Sequence, residues 1–425
     1  MLLQFTVGNF RSFKDKATLS MEGTADDWLE EYNVGKEGEN RLVKAAAIYG
    51  ANASGKSNFL AAMAKFRDLV KKSSKETQTG EKLPFSPFRL NAETESKPSF
   101  FEVIFMQNGT RYRYGFEATS EDIHAEWLFS QKDSIRETRL FTREGEIIDP
   151  SEAFKEGKGL ETRTRPNALF LSVVAQFNGE IAGGILEWMN RFRNISGLDD
   201  THYMRFTAEK LADPDYQYSI RELVKAADMG IDELKMVDME EDAFAKLIPK
   251  DVPSEMHKLF RNLPNVGFSI KTYHQKFQPD HRTAGIVEFD LMKEGSGGTQ
   301  KFVALTGPFL HTLKEGSILF IDELEARLHP LLTRALVGLF NGSANTKNAQ
   351  LIFATHDEGL LNSRRIRRDQ VWFIEKNEYN ESRLYSLDEF KVRKEGKFEK
   401  EYLLGQFGAV PRLGDFQGVL THAKE

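Results

Sequence analysis

Residues 50–57 read Gly50-Ala51-Asn52-Ala53-Ser54-Gly55-Lys56-Ser57. They fill every fixed position of the G-x-x-x-x-G-K-[ST] phosphate-binding pattern. The run before them, Ala45-Ala46-Ala47-Ile48-Tyr49, is apolar and has the length of a buried strand. The run after them, Asn58 to Phe66, reads as a helix. Strand, glycine loop and helix in that order build an anion site. The glycines let backbone N–H groups close on phosphate oxygens, and the helix N-terminus adds partial positive charge. The pattern assigns Lys56 to the β- and γ-phosphates of a nucleotide and the Ser57 hydroxyl to Mg²⁺. Gly50, Asn52, Gly55 and Asn58 complete the candidate nucleotide-binding set. A chance glycine turn is the ordinary alternative, and the flanking strand and helix weigh against it.

The chain has 425 residues, enough for a large core divided into subdomains. Its net charge of −6 argues against a polycation built to coat nucleic acid, although a local basic patch is compatible with it. It contains no cysteine, which excludes disulfides, thiolate zinc sites and cysteine nucleophiles. No apolar stretch reaches membrane-spanning length, and Met1-Leu2-Leu3-Gln4-Phe5 lacks the pattern of a signal peptide. A cytoplasmic location is expected.

Working outward from the loop, residues 2–10 and 17–22 read as a strand pair and Asp26 to Asn40 as a loop. The first helix extends to about Ser73. Phe101 to Phe105 and Arg111 to Phe116 flank Asn108-Gly109, which predicts a hairpin with a type I′ turn. Further strands are expected at 124–130 and 138–141. Leu169 to Arg193, Ser219 to Ala227 and Ser254 to Leu263 carry helical patterns. Ile286 to Met292 returns to strand. Ser317–Ile321, Leu351–Ala354 and Val371–Ile374 then alternate with helical segments, the rhythm of a parallel α/β sheet. This divides the chain into an N-terminal lobe with an antiparallel β subdomain (1–165), a helical insertion (166–275) and a C-terminal lobe (276–425).

Three further segments belong with the loop. Ser317-Ile318-Leu319-Phe320-Ile321-Asp322-Glu323 is an apolar strand ending in two carboxylates. They are aimed at the sheet edge where the phosphate loop lies. Asp322 is a candidate Mg²⁺ ligand and Glu323 a candidate to orient and activate water. Gly295-Ser296-Gly297-Gly298-Thr299 opens a helix and makes a second anion nest. One nucleotide per site does not need two nests in one chain. Ser296, Gly297 and Gly298 therefore fit the γ-phosphate held by a second subunit, the ordinary alternative being a flexible glycine loop. Ala354-Thr355-His356-Asp357 follows an apolar run, so His356 is a candidate γ-phosphate contact. The cationic run Arg364-Arg365-Ile366-Arg367-Arg368 reads as a solvated, ion-paired segment rather than a nucleic-acid site, since no aromatic residues interleave with it.

Phosphate loop, Ser-Gly-Gly signature, Asp-Glu strand and histidine, in that order, resemble the ABC-type ATPases. The start, Asn9-Phe10-Arg11-Ser12-Phe13, resembles that of the SMC and RecF branch, where the arginine lies near the nucleotide; this carries to Arg11. Asp322-Glu323-Leu324-Glu325-Ala326-Arg327-Leu328-His329-Pro330 is similar to the corresponding run of RecF and of the OLD family, and would include a loop crossing a dimer interface. Leu169-Phe170-Leu171-Ser172, Ala175-Gln176-Phe177-Asn178 and Tyr402 to Pro411 resemble the RloA-like family of stand-alone ATPases, which includes subunits of anti-phage systems such as AriA of PARIS. The signature departs from the usual pattern in beginning Gly295-Ser296.

The resemblance implies an α/β fold: an ABC-type P-loop NTPase head with an antiparallel β subdomain and an inserted helical subdomain. It implies ATP and Mg²⁺ as cofactors, slow ATP hydrolysis, and a homodimer or higher homo-oligomer with composite sites. In function it implies a nucleotide-gated switch in anti-phage defence, with a separate toxin or nuclease partner and a DNA or phage-derived trigger. A RecF-like DNA-binding ATPase of repair or recombination is the alternative. The segment from Asn58 to Glu294 lacks the sustained heptads of an SMC coiled coil. No segment after His356 supplies a nuclease domain, so any cutting would belong to a partner.

Overall fold

The computed structural model describes residues 1–76, 78, 80–132, 136–238, 256, 267–362, 364–392, 396–411 and 414. The first lobe runs β1 (Leu2–Gly8), β2 (Ala17–Ser20), α1 (Glu30–Asn33), β3 (Val34–Glu37), β4 (Asn40–Val43), β5 (Ala45–Tyr49) and α2 (Lys56–Glu76). It continues through β6 (Ser99–Gln107), β7 (Thr110–Ala118), β8 (Ile123–Gln131), β9 (Thr138–Glu144) and β10 (Ile147–Pro150). Next come α3 (Phe170–Gln176), α4 (Glu180–Met189), β11 (Phe192–Ser196), α5 (Thr201–Ala212), α6 (Pro214–Ala226) and β12 (Glu233–Asp238). The chain then forms β13 (Phe268–Phe277), β14 (Thr283–Asp290), α7 (Leu291–Glu294), α8 (Gly297–Glu315), β15 (Ile318–Asp322) and α9 (Pro330–Phe340). It closes with β16 (Gln350–Ala354), β17 (Val371–Lys376), β18 (Ser382–Ser386) and α10 (Phe398–Leu403).

The apolar runs form one six-stranded sheet in the order β11-β15-β16-β5-β17-β18, parallel except for the antiparallel edge strand β18. Side chains alternate across a strand, so a run that is apolar at every position needs a core on both faces. Two cores meet that need. Ile48, Phe320, Ile352 and Ile374 enter one, with Phe59 and Phe66 of α2. Tyr49, Ile321, Phe353 and Phe373 enter the other, with Phe302 and Phe309 of α8. Because the central strands are parallel, their carboxyl ends share one edge, where an α/β sheet presents its ligands.

The first core is closed by a seven-stranded antiparallel sheet in the order β10-β9-β8-β7-β6-β1-β2. Its inner face supplies Phe5, Phe101, Phe105, Tyr114 and Phe116. Phe66 stacks on Phe116 with centroids 5.5 Å apart. The β6–β7 turn is the expected two-residue type, with Asn108 and Gly109 both at positive φ. The mixed α/β fold with an antiparallel β subdomain is thus as expected from the sequence.

Some segments differ from the expectation. Residues 26–40 are not all loop but contain α1 and the β3–β4 hairpin. The region 166–275 is not wholly helical. Asn190 caps α4, and Phe192 then enters the core as β11 pairs in parallel with β15. Further on, β12, β13 and β14 form a three-stranded antiparallel sheet. The strand expected to reach Met292 ends at Asp290, whose side chain accepts the Met292 N–H and starts α7. The helix expected at 254–263 lies outside the described residues.

Helix α8 carries Pro308 in its interior. Proline has no N–H to offer the carbonyl of Ala304. The hydroxyl of Thr207 on α5 donates to that carbonyl at 2.5 Å, so the break is compensated from the neighbouring helix. Among the described residues no helix is long and apolar enough to cross a membrane.

Candidate functional site

The phosphate loop leaves β5 at the sheet's carboxyl edge and enters α2. Ala53 at φ 62° and Gly55 at φ 121° bend the backbone into a nest. A Cβ on Gly55 would lie 2.5 Å from Ser382 Oγ and 2.8 Å from Ser12 Oγ, so side chains on both sides require glycine there. The Ser382 hydroxyl donates to the Ser54 carbonyl at 2.5 Å, and the Ser382 N–H donates to the Ser12 carbonyl at 2.7 Å. Asn58 donates to Ser12 Oγ at 2.9 Å and accepts from Arg11 at 3.4 Å. This clasp brings Arg11 to the loop.

Lys56 is buried and folds back, donating from Nζ to the carbonyls of Gly50 at 2.7 Å and Ala51 at 3.2 Å. Burial lowers its pKa, and the nearby carboxylates of Asp322, Glu325 and Glu323 act in the opposite direction. Asn52, Gly55, Lys56, Ser57 and Asn58 line a cleft of about 400 Å³ together with Glu323, His356 and Lys376. The carboxyl ends of four strands, β5, β15, β16 and β17, therefore converge on one space.

The two acids leave β15 in different conformations. Asp322 closes the strand, and its Oδ1 is buried without a protein partner. Glu323 turns into the left-handed region at φ 53°. This turn is held from β11: the Gly197 N–H donates to the Asp322 carbonyl at 2.6 Å. A Cβ on Gly197 would stand 1.9 Å from the Glu323 carbonyl oxygen, so only glycine allows this approach. Glu325 accepts the backbone N–H of His356 at 2.6 Å. Burial is the main cause lowering the His356 pKa, followed by the charge of Lys56. The shift favours the neutral imidazole.

The chemistry of the donors fits a nucleotide with its divalent cation. The Ser57 hydroxyl and the unpartnered Asp322 Oδ1 are hard oxygen ligands of the kind Mg²⁺ takes beside substrate phosphates. The signature residues are elsewhere. Ser296 caps α8 and accepts the Thr299 N–H at 3.2 Å. A Cβ on Gly298 would lie 2.8 Å from the Arg327 carbonyl, so the signature packs on the Leu324–Leu328 segment rather than against its own chain's phosphate loop. Neither Ser296, Gly297 nor Gly298 lines the cleft. Sequence reading missed Gly197, Glu325, Lys376, Ser12 and Ser382. The sequence offers a signal for two of them: Glu325, two residues after Glu323 in the strand-terminal turn, and Ser12, beside Arg11 in the Asn9–Phe13 run.

A family model described as "AAA domain, putative AbiEii toxin, Type IV TA system" matches residues 45–362. The chain belongs to this family. The matched span contains every cleft residue but Lys376. No curated protein is significantly similar in sequence. Similar solved structures include an SMC head domain from Thermotoga maritima, 15% identical, covering 92% of this chain and 99% of that one with a TM-score of 0.41. An SMC head bound to the C-terminal winged-helix domain of ScpA is 12% identical, covering 91% and 97%, with a TM-score of 0.42. The recombination mediator RecF is 14% identical, covering 90% and 98%, with a TM-score of 0.34.

Proposed function

We propose that this chain is an ABC-type ATPase that closes as a dimer around ATP and acts as a nucleotide-gated switch over a separate toxin or nuclease in a prokaryotic anti-phage system. The observation that carries the reading is the cleft joining Lys56, Ser57, Glu323 and His356 while Ser296–Gly298 lie outside it. A site with every part but its γ-phosphate cover is completed by a second copy. The family's description as a putative toxin of a toxin–antitoxin system supports the defence role.

The phosphate loop and Lys56 hold the β- and γ-phosphates, and Arg11 stands at the loop's outer side. Ser57 and Asp322 would hold Mg²⁺, which neutralises phosphate charge when bound. Glu323 orients water for in-line attack on the γ-phosphorus and takes its proton. The bond from the γ-phosphorus to the bridging oxygen breaks, giving ADP and inorganic phosphate. Neutral His356, held by Glu325 through its backbone, donates to the γ-phosphate and ties that strand end to nucleotide state. Binding energy from two composite sites closes the dimer, and hydrolysis releases it.

Glu323→Gln tests this reading. The variant should bind ATP like the parent, hydrolyse it about a hundredfold more slowly and accumulate as an ATP-dependent dimer in size-exclusion chromatography with light scattering. Hydrolysis at the parental rate would refute the assignment of Glu323.

A further inference from the structure

The cationic run at 364–368 divides into two unlike halves. Arg367 is buried and internally spent: it pairs with Asp369 at 2.6 Å and donates to the backbone carbonyls of Asp26 and Trp28. Arg368 pairs with Asp26 at 3.2 Å and Asp388 at 3.5 Å. These two bear out the ion-paired reading. Arg364 and Arg365 do not. Both are exposed, and no described carboxylate forms an ion pair with either.

Their position is fixed nonetheless. Asn362 accepts the Arg364 N–H at its side chain (3.0 Å) and the Arg365 N–H at its carbonyl (2.8 Å). Asn33, itself buried, donates to the Arg365 carbonyl at 3.0 Å. Both arginines line a cavity of about 220 Å³ between α1 and α9, and Arg334 of α9 lines it with them. The floor is apolar, from Leu29, Val337 and Ile366. Arg334 has one weak ionic partner, Asp357 at 3.5 Å, and its Nε is buried without a partner. Arg364 also lines a second groove with Lys397 and Lys400. Arg334, Arg364 and Arg365 thus line one small space, and among the described residues no carboxylate lines it with them. Low-dielectric walls around like charges concentrate anions, and guanidinium forks match the oxygens of a phosphoryl group.

We infer that this cavity is a second phosphate-recognition site, distinct from the ATP cleft, that takes a phosphoryl group through Arg364, Arg365 and Arg334. The phosphoryl group has two possible sources: a small phosphate compound, or the backbone of a nucleic acid that continues along the Lys397–Lys400 groove. The site also touches the switch. Arg334 neutralises Asp357, the residue after His356, so an anion that draws Arg334 away alters the support of that strand end.

The test uses the full chain carrying Lys56→Ala, which weakens phosphate binding at the loop. Inorganic pyrophosphate is titrated by calorimetry, and a short single-stranded oligonucleotide by fluorescence anisotropy. Adding Arg364→Ala and Arg365→Ala, both on exposed side chains, should weaken binding about tenfold or more. Loss of pyrophosphate binding alone identifies a small phosphate ligand, and loss of both identifies a nucleic-acid backbone. If neither probe binds the Lys56→Ala chain, or both bind equally well with and without the arginines, the proposal is overturned. ATP binding and hydrolysis by Arg364→Ala/Arg365→Ala with Lys56 intact report on the ATP cleft separately, so failure of one reading is not mistaken for failure of the other.

Discussion

Gly197→Ala offers a test of the carboxylate turn that changes no proposed catalytic side chain. The added methyl would begin 1.9 Å from the Glu323 carbonyl oxygen and 2.5 Å from that of Asp322. Both are backbone atoms, so no flexible side chain can swing aside. Contacts under 3.0 Å are essentially never seen for real Cβ atoms, so the Glu323 carbonyl must retreat by about 1.1 Å. Displacement of about 1 Å at a catalytic group costs on the order of a hundredfold in rate. Lys56 and residues 50–55 hang from β5, two strands from β15, and are not in the path of the clash. The expected result is a kcat for phosphate release lowered about a hundredfold with ATP affinity within a few-fold of the parent. Overpacking should also lower stability by about 1–3 kcal/mol. Steady-state phosphate release, equilibrium titration with a fluorescent ATP analogue and thermal unfolding read the three effects apart. A folded variant with parental kcat would refute the argument that Gly197 sets the position of Glu323.

Two further outcomes follow from packing and protonation. Gly183 lies inside α4, and a Cβ there meets nothing within 4 Å; Gly183→Ala should stabilise the protein by about 0.5–1 kcal/mol in denaturant melts, leaving hydrolysis unchanged. His311 on α8 faces Arg193 at 2.6 Å from Nε2 and Tyr216 at 2.9 Å from Nδ1, so a neutral ring that accepts from Arg193 and donates to Tyr216 satisfies both. Burial, then the charge of Arg193, lowers its pKa from 6.5 to about 4. The unfolded chain therefore takes up this proton first as pH falls. Stability from this group is complete above pH 6.5 and is lost between there and about 4, and His311→Phe should flatten that part of a stability-versus-pH curve.

The parallel sheet was readable because its central strands need apolar residues on both faces; a run such as Leu319-Phe320-Ile321 announces that by itself. The phosphate loop was readable because its chemistry sits in eight consecutive residues. The edge strand β11 was not, since it is short and mostly polar, and only pairing with β15 makes Phe192–Ser196 a strand. Ser382 left no signal at all: its role depends on a neighbour 328 residues away. The Arg364–Arg368 run was half readable. Its charge was evident, but which arginines were spent depended on partners near and far: Asp369 two residues from Arg367, Asp388 twenty beyond Arg368, and Asp26 over three hundred residues before it.

The clasp on the phosphate loop also has a temporal consequence. Ser54 and its partner Ser382 are separated by 328 residues, and Gln350 holds both polar backbone groups of Leu2 across 348. At roughly 5–20 residues per second of synthesis, the loop waits on the order of tens of seconds after leaving the ribosome before the strand that braces it exists. A nascent or truncated chain ending before β18 therefore carries the complete glycine motif without the brace that shapes it. On the proposed reading, the nucleotide site would become complete only late in translation, after β18 has been made.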